Sequence, residues 1–183
     1  MRLFIAILFS DEIKSRLLQI QNLIKTQASR GNFSRPENLH LTLVFIGETP
    51  PDQVPVISSV IDKALHHPFT EFQIDFNRTG FYKHSNKELW WFGADENDSN
   101  LHTLIELHQR LAAGLDAAGI KFDKRPFNAH ITLGREIRHF APITLPEDKI
   151  TIPVRRISLM KSENQQGRLV YTELAGWGKA LKN

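Results

Sequence analysis

Two nine-residue stretches hold the residues best suited to do chemistry. Arg35-Pro36-Glu37-Asn38-Leu39-His40-Leu41-Thr42-Leu43 reads Arg-Pro-x-Asn-x-His-x-Thr-Leu, and Arg125-Pro126-Phe127-Asn128-Ala129-His130-Ile131-Thr132-Leu133 reads the same way 90 positions later. Six of the nine positions are identical, and Leu41 against Ile131 is a conservative seventh. In an extended strand, residues two apart share a face, about 6–7 Å apart, while their neighbours point the other way. Each stretch therefore sets an imidazole and a hydroxyl on one surface, His40 with Thr42 and His130 with Thr132. Leu41 and Leu43, or Ile131 and Leu133, anchor the strand behind them. Two imidazoles meeting across a cleft suit in-line displacement at phosphorus without a metal. One takes a proton from an attacking water or hydroxyl while the other gives one to the departing oxygen. Histidine titrates near ~6.5, so both forms are available around neutrality. The threonine hydroxyls can donate to the non-bridging oxygens, where charge develops. The expected reaction is cleavage of a phosphodiester, most easily a strained cyclic one. The symmetry of the repeat leaves open which histidine does which.

An offset of 90 in a chain of 183 residues points to a duplicated half-domain, with each lobe contributing one such strand. The rest of the pattern fits. An apolar run over 3–9 reads as a buried strand, and Ser10 caps a helix whose Ile13, Leu17, Ile20 and Ile24 form one stripe until Gly31-Asn32 breaks it. Leu39 to Ile46 is strand-like. Pro50-Pro51-Asp52 opens a second helix carrying Val54, Ile57, Ile61 and Leu65, closed by His66-His67-Pro68. Phe72, Ile74 and Phe76 alternate, and Leu89-Trp90-Trp91-Phe92 is β-rich. A third helix places Leu104, Leu107, Leu111 and Leu115 on one face, with Gly119 as its C-cap. Ala129 to Leu133 is strand-like. Ile150, Ile152 and Val154 alternate before a slip in phase carries the pattern to Ile157 and Leu159, and Leu169 to Leu174 is a last strand. The expected fold is α+β. Residues 1–183 form a single bilobal domain of two pseudo-two-fold lobes, with antiparallel sheets lining a central cleft and helices outside.

Composition narrows the function classes. Hydrophobic residues are 41% and charged residues 23%, which is ordinary globular usage. No apolar run approaches the ~20 residues of a membrane span, and the apolar start runs into Ser10-Asp11-Glu12 without a cleavage site, so it reads as a strand rather than a signal peptide. There is no cysteine, which removes disulfides, thiolate metal sites and a cysteine nucleophile, and fits a cytoplasmic location. A net charge of +3 is compatible with a polyanionic partner without demanding one.

The eight histidines do not read as a metal site: His102 and His108 lie on opposite sides of a helix, His66-His67 at a helix end, and His84 and His139 in loops. Arg135, five residues after His130, could reach a phosphate with its planar fork, or could be a solvated surface arginine. Arg35 and Arg125, five before each histidine, could form a basic rim with Lys121, Lys124 and Arg138, or mark the turns into the strands. Asn38 and Asn128 either share the histidine face or serve those turns. Phe9, Phe81 and Phe127 are conceivable stacking residues for a base.

The chain resembles the two-histidine phosphoesterase superfamily, and within it the RNA 2′,3′-cyclic phosphodiesterases, also called 2′-5′ RNA ligases. The signature is a pair of His-x-Thr/Ser-x motifs, matched by His40-Leu41-Thr42-Leu43 and His130-Ile131-Thr132-Leu133. The opening Arg2-Leu3-Phe4-Ile5-Ala6, Glu37-Asn38-Leu39, Phe45-Ile46-Gly47-Glu48 and Gly134-Arg135 also fit. The Trp90-Trp91 pair and the Lys83-His84-Ser85-Asn86-Lys87 loop have no place in that pattern. The resemblance implies hydrolysis of RNA 2′,3′-cyclic phosphate ends to 2′-phosphates without metal or other cofactor, and joining of RNA ends, tRNA halves among them, through a 2′-5′ linkage. It also implies His40 as proton donor and His130 as proton acceptor, while the residues themselves put Thr42, Thr132 and Arg135 forward for the phosphate. A monomer without membrane attachment is expected. The alternatives are a related phosphodiesterase for a cyclic nucleotide-sugar phosphate or a 2′-5′ oligonucleotide, and a non-catalytic RNA-binding module. Intact histidine and threonine in both copies argue against the last.

Overall fold

The computed structural model describes residues 1–65, 70–146 and 148–180. In chain order the first half contains β1 (Arg2–Leu8), α1 (Asp11–Gln27), β2 (Arg30–Phe33), β3 (His40–Glu48) and α2 (Val54–Ala64). Then come β4 (Phe72–His84), β5 (Lys87–Ala94), α3 (Leu101–Ala117), β6 (His130–Arg138), β7 (Ile150–Val154), β8 (Arg156–Gln165) and β9 (Arg168–Gly178). Helices α1 and α3 are both 17 residues long and start 90 positions apart, and β3 and β6 are both nine residues long at the same offset. The duplication seen in the motifs therefore extends to a whole unit, β1–α1–β3 repeated as β5–α3–β6. Local chemistry sets its limits. Ser10 Oγ accepts from the Ile13 amide at the start of α1, and Gly119, at φ +71°, turns the chain after α3 in a conformation that disfavours any side chain.

The described strands form one antiparallel sheet in the order β7-β4-β5-β6-β3-β1-β8-β9, with β2 paired to β6. The two lobes are its two halves, and they meet where β3 and β6 pair through Leu41 and Ile131. A second join lies at the far ends. Only Arg155 separates β7, on one edge, from β8, in the other half, so the sheet curls until those strands are neighbours. That exchange of partners is the phase slip in the sequence, and Pro153 is tolerated because β7 is an edge strand.

One face of the sheet carries the helices. Leu3, Ile5 and Ile7 of β1, Leu41 and Leu43 of β3, and Ile131 and Leu133 of β6 share a core with the stripes of all three helices. The other face of β1 buries Phe4 and Ala6 with Met160, against Leu8, Phe45 and Tyr171. A strand covered on both sides reads as a continuous apolar run, which is how residues 3–9 read. Gln21 pins α1 to the seam: its buried Nε2 donates to the carbonyls of Ser34 and Leu133 at 2.7 and 2.8 Å. The strand β2 was not expected. Its Gly31-Asn32 reads as a helix breaker, and only pairing with β6 gives it structure. The closing residues 66–68 assigned to the second helix lie outside the described residues; the helix ends at Ala64.

Candidate active site

Strand alternation puts His40, Thr42, His130 and Thr132 on the helix-free face, and all four line one cleft of about 550 Å³. His40 and His130 are the first residues of β3 and β6, so each ring stands where a turn gives way to a strand. The two rings are held alike. Nδ1–H of His40 donates to the carbonyl of Asn38 at 2.7 Å, and Nδ1–H of His130 to the carbonyl of Asn128 at 2.8 Å. A carbonyl can only accept, so in each neutral ring the proton sits on Nδ1 and Nε2 is the free base. Asn38 and Asn128 thus contribute main-chain oxygens that select the tautomer. The Thr42 hydroxyl occupies His40 Nε2 at 2.9 Å.

Burial governs how these rings titrate. It holds the His40 pKa down at about 4, against the Asn38 hydrogen bond, and the positive charges of Arg135 and His130 press the same way. His130 is also lowered, first by burial and then by Arg135. The two imidazoles are neutral at neutral pH in the free protein, rather than poised around it. Arg135 lines the cleft, and its charge acts on both rings and on Tyr171. Arg2 and Arg35 also line the cleft, and none of its described lining residues is Asp or Glu. Arg35 has the Glu37 carboxylate 3.8 Å away, and the three guanidiniums together make the cleft electropositive.

Of the expected basic rim, only Arg35 reaches the cleft. Arg125 is forked onto Asp123 and Lys124 pairs with Asp116 at 2.6 Å, so both serve the connection before β6. Arg138 lies at the other end of β6, opposite Arg30. The conceivable stacking residues are also elsewhere. Phe9 is core, Phe81 packs on Trp90, and Phe127 stacks on His108 at 4.5 Å. His108 itself bonds the carbonyl of Leu43, and exposed His102 faces Glu106. His139 lies in the loop after β6, as expected, and its Nε2 meets buried Glu88 at 2.9 Å, which also accepts from Trp90, whereas position 84 closes β4 instead of lying in a loop. Among the described residues no cluster of three or more His, Cys, Asp or Glu could hold a metal ion.

The aromatic lining was missed. The chain has two tyrosines, and each stands edge-on to one of the two motif histidines: Tyr171 to His40 at 88° and Tyr82 to His130 at 86°. Phe4 completes the first wall, 4.9 Å from His40, and Trp91 the second, 6.4 Å from His130. No sequence signal announces them, because β1, β9, β4 and β5 come beside the histidines on the cleft face through sheet order rather than chain proximity.

A curled antiparallel sheet with helices on one face and paired strand histidines on the other defines a phosphoesterase of the two-histidine class. The chain belongs to the LigT-like phosphoesterase family, whose model matches residues 7–91 and 96–171. It is 29% identical to an RNA 2′,3′-cyclic phosphodiesterase of Thermus thermophilus over 95% of this chain and 88% of that one. It is 27% identical to one of Escherichia coli over 96% and 95%. Among solved structures it is similar to E. coli LigT complexed with 3′-AMP, with a TM-score of 0.79 and 25% identity over 100% of this chain and 98% of that one. No described helix is long and apolar enough to cross a membrane.

Proposed function

We propose that this protein opens the 2′,3′-cyclic phosphate at the end of an RNA to a 2′-phosphate, by proton transfer between two histidines and without a metal. The observation that carries the reading is the matched pair of imidazoles, each with Nδ1–H tied to the carbonyl two residues before it, facing one arginine-lined cleft. Water attacks phosphorus and gives its proton to His130 Nε2. The bond from phosphorus to the 3′ oxygen breaks, and that oxygen takes a proton from His40 Nε2. Arg135 and the hydroxyls of Thr42 and Thr132 face the non-bridging oxygens.

His40 is neutral in the free protein, so the donor must gain its proton when the anion arrives. A cyclic phosphate pairs with Arg135, cancelling one of the charges that lowers His40, and favours the imidazolium beside it. Thr42 then turns from Nε2 to the phosphate. The names of the relatives support the substrate class, and the same chemistry with a 5′-hydroxyl in place of water joins two RNA ends, tRNA halves included, through a 2′-5′ linkage. The proposal extends to a monomer acting in the cytoplasm. The test is phosphorus NMR of 2′,3′-cyclic AMP incubated with the protein. Accumulation of the 2′-phosphate is expected; no turnover, or the 3′-phosphate as product, would overturn the reading.

A further inference from the structure

The strand order sets six cleft-face side chains in a row across the sheet: Tyr82 on β4, Trp91 on β5, His130 on β6, His40 on β3, Phe4 on β1 and, beyond β8, Tyr171 on β9. The cavity takes in the second part of this row, from His130 to Tyr171, and leaves Tyr82 and Trp91 outside it on the far side of His130. These two rings lie 5.7 Å apart at 38°, and Tyr82 is 46% exposed. The sheet is cut away to seat them. A Cβ on Gly80 would come within 2.4 Å of the Trp91 ring and one on Gly93 within 2.7 Å, so the indole lies flat on bare backbone between two glycines. Asn128, whose carbonyl fixes His130, donates from its side chain to the Tyr82 hydroxyl. The shelf and the base are therefore held by one residue.

We propose that the Tyr82–Trp91 shelf seats a second nucleoside, the one that presents its 5′-hydroxyl to His130 in the joining direction. The inference rests on the proposed function, in which His130 takes the proton of whatever attacks phosphorus. In-line geometry puts attacking and leaving oxygens on opposite sides of the phosphorus. The nucleoside bearing the cyclic phosphate fills the cavity beside His40, and the attacking nucleoside lies beyond His130, where the shelf is. Joining forms the bond from phosphorus to the 5′ oxygen and breaks the one to the 3′ oxygen. The 5′-hydroxyl proton goes to His130, and His40 supplies the proton of the new 3′-hydroxyl. The shelf then holds the second base by stacking.

The test measures binding, by calorimetry, of a 2′-5′-linked diadenosine monophosphate whose first sugar lacks the 3′-hydroxyl, so that it cannot react, beside the corresponding 3′-deoxyadenosine 2′-phosphate. Loss of a base-stacking ring weakens binding by about five- to a hundred-fold. In Tyr82→Ala the ratio of the two dissociation constants should shift against the dinucleoside by that amount, and Tyr82→Phe should restore it. Tyr82→Leu reads the same ratio if the alanine variant does not fold. An unchanged ratio, or a wild-type protein that does not bind the dinucleoside, overturns the shelf. Turnover of 2′,3′-cyclic AMP by wild-type protein, measured alongside, separates that failure from failure of the phosphodiesterase reading.

Discussion

Acidification should cost the folded protein stability through His40. An unfolded histidine takes up a proton near 6.5, whereas burial holds this ring at about 4. Between those values the unfolded chain binds a proton that the folded chain refuses, so stability falls as pH falls from 6.5 to about 4, and this contribution changes no further below it. At about 1.4 kcal/mol per pKa unit the ceiling is roughly 3 kcal/mol. The ring is half-buried at the cleft wall, and solvent screening brings the expected loss to about 1–2 kcal/mol. His130 is lowered too and adds a loss of the same sign, so the His40 part is isolated by comparison with His40→Gln. Urea unfolding followed by circular dichroism, at about pH 7 and about pH 4, measures both proteins. The stability advantage of wild type over His40→Gln should shrink by about 1–2 kcal/mol on acidification. Inorganic phosphate, which favours the imidazolium, should reduce the shrinkage. An advantage that stays constant or grows as pH falls would refute the burial argument.

Because kcat/KM reports the free protein, the bell in its pH profile should have both limbs below 6.5, following the lowered His40 and His130; a bell centred above neutrality would contradict these shifts. Arg135→Gln removes a positive charge that lowers both rings, so the bell should move upward in pH while its maximum drops by about 10²–10³-fold; steady-state kinetics across pH reads both. Gly80→Ala places a methyl against Trp91 and should destabilise the fold by about 1–3 kcal/mol, read as a lower urea midpoint, with an unchanged midpoint ruling out the tight seat.

The elements legible in the sequence are the ones that repeat. The helices α1 and α3, the strands β3 and β6, and the faces of His40, Thr42, His130 and Thr132 follow from period and offset, and they stand where that arithmetic puts them. What sequence hid depends on partners far along the chain. Residues 30–33 look like a break because Gly31 and Asn32 have poor strand preference, and β6 supplies the hydrogen bonds that override it. Trp90 and Trp91 look like one aromatic pair, yet pleating sends Trp90 to the core and Trp91 to the opposite face, beside His130. Arg125 looks like a phosphate ligand by analogy with Arg35 until Asp123, two residues away, claims its guanidinium. Tyr82 and Tyr171 flank histidines 48 and 131 positions away, and no local pattern links them. The titration of the rings was also out of reach, because burial is a property of the assembled cleft.

The central claim is that His40 and His130 act as one acid–base unit, and turnover of 2′,3′-cyclic AMP by His40→Ala, His130→Ala and the double variant tests it most directly. Each single variant, folded by circular dichroism, should lose about 10²–10⁴-fold in kcat. Groups that act together are strongly non-additive, so the double variant should lose little more than either single one. A folded single variant that retains wild-type turnover would contradict the two-histidine account.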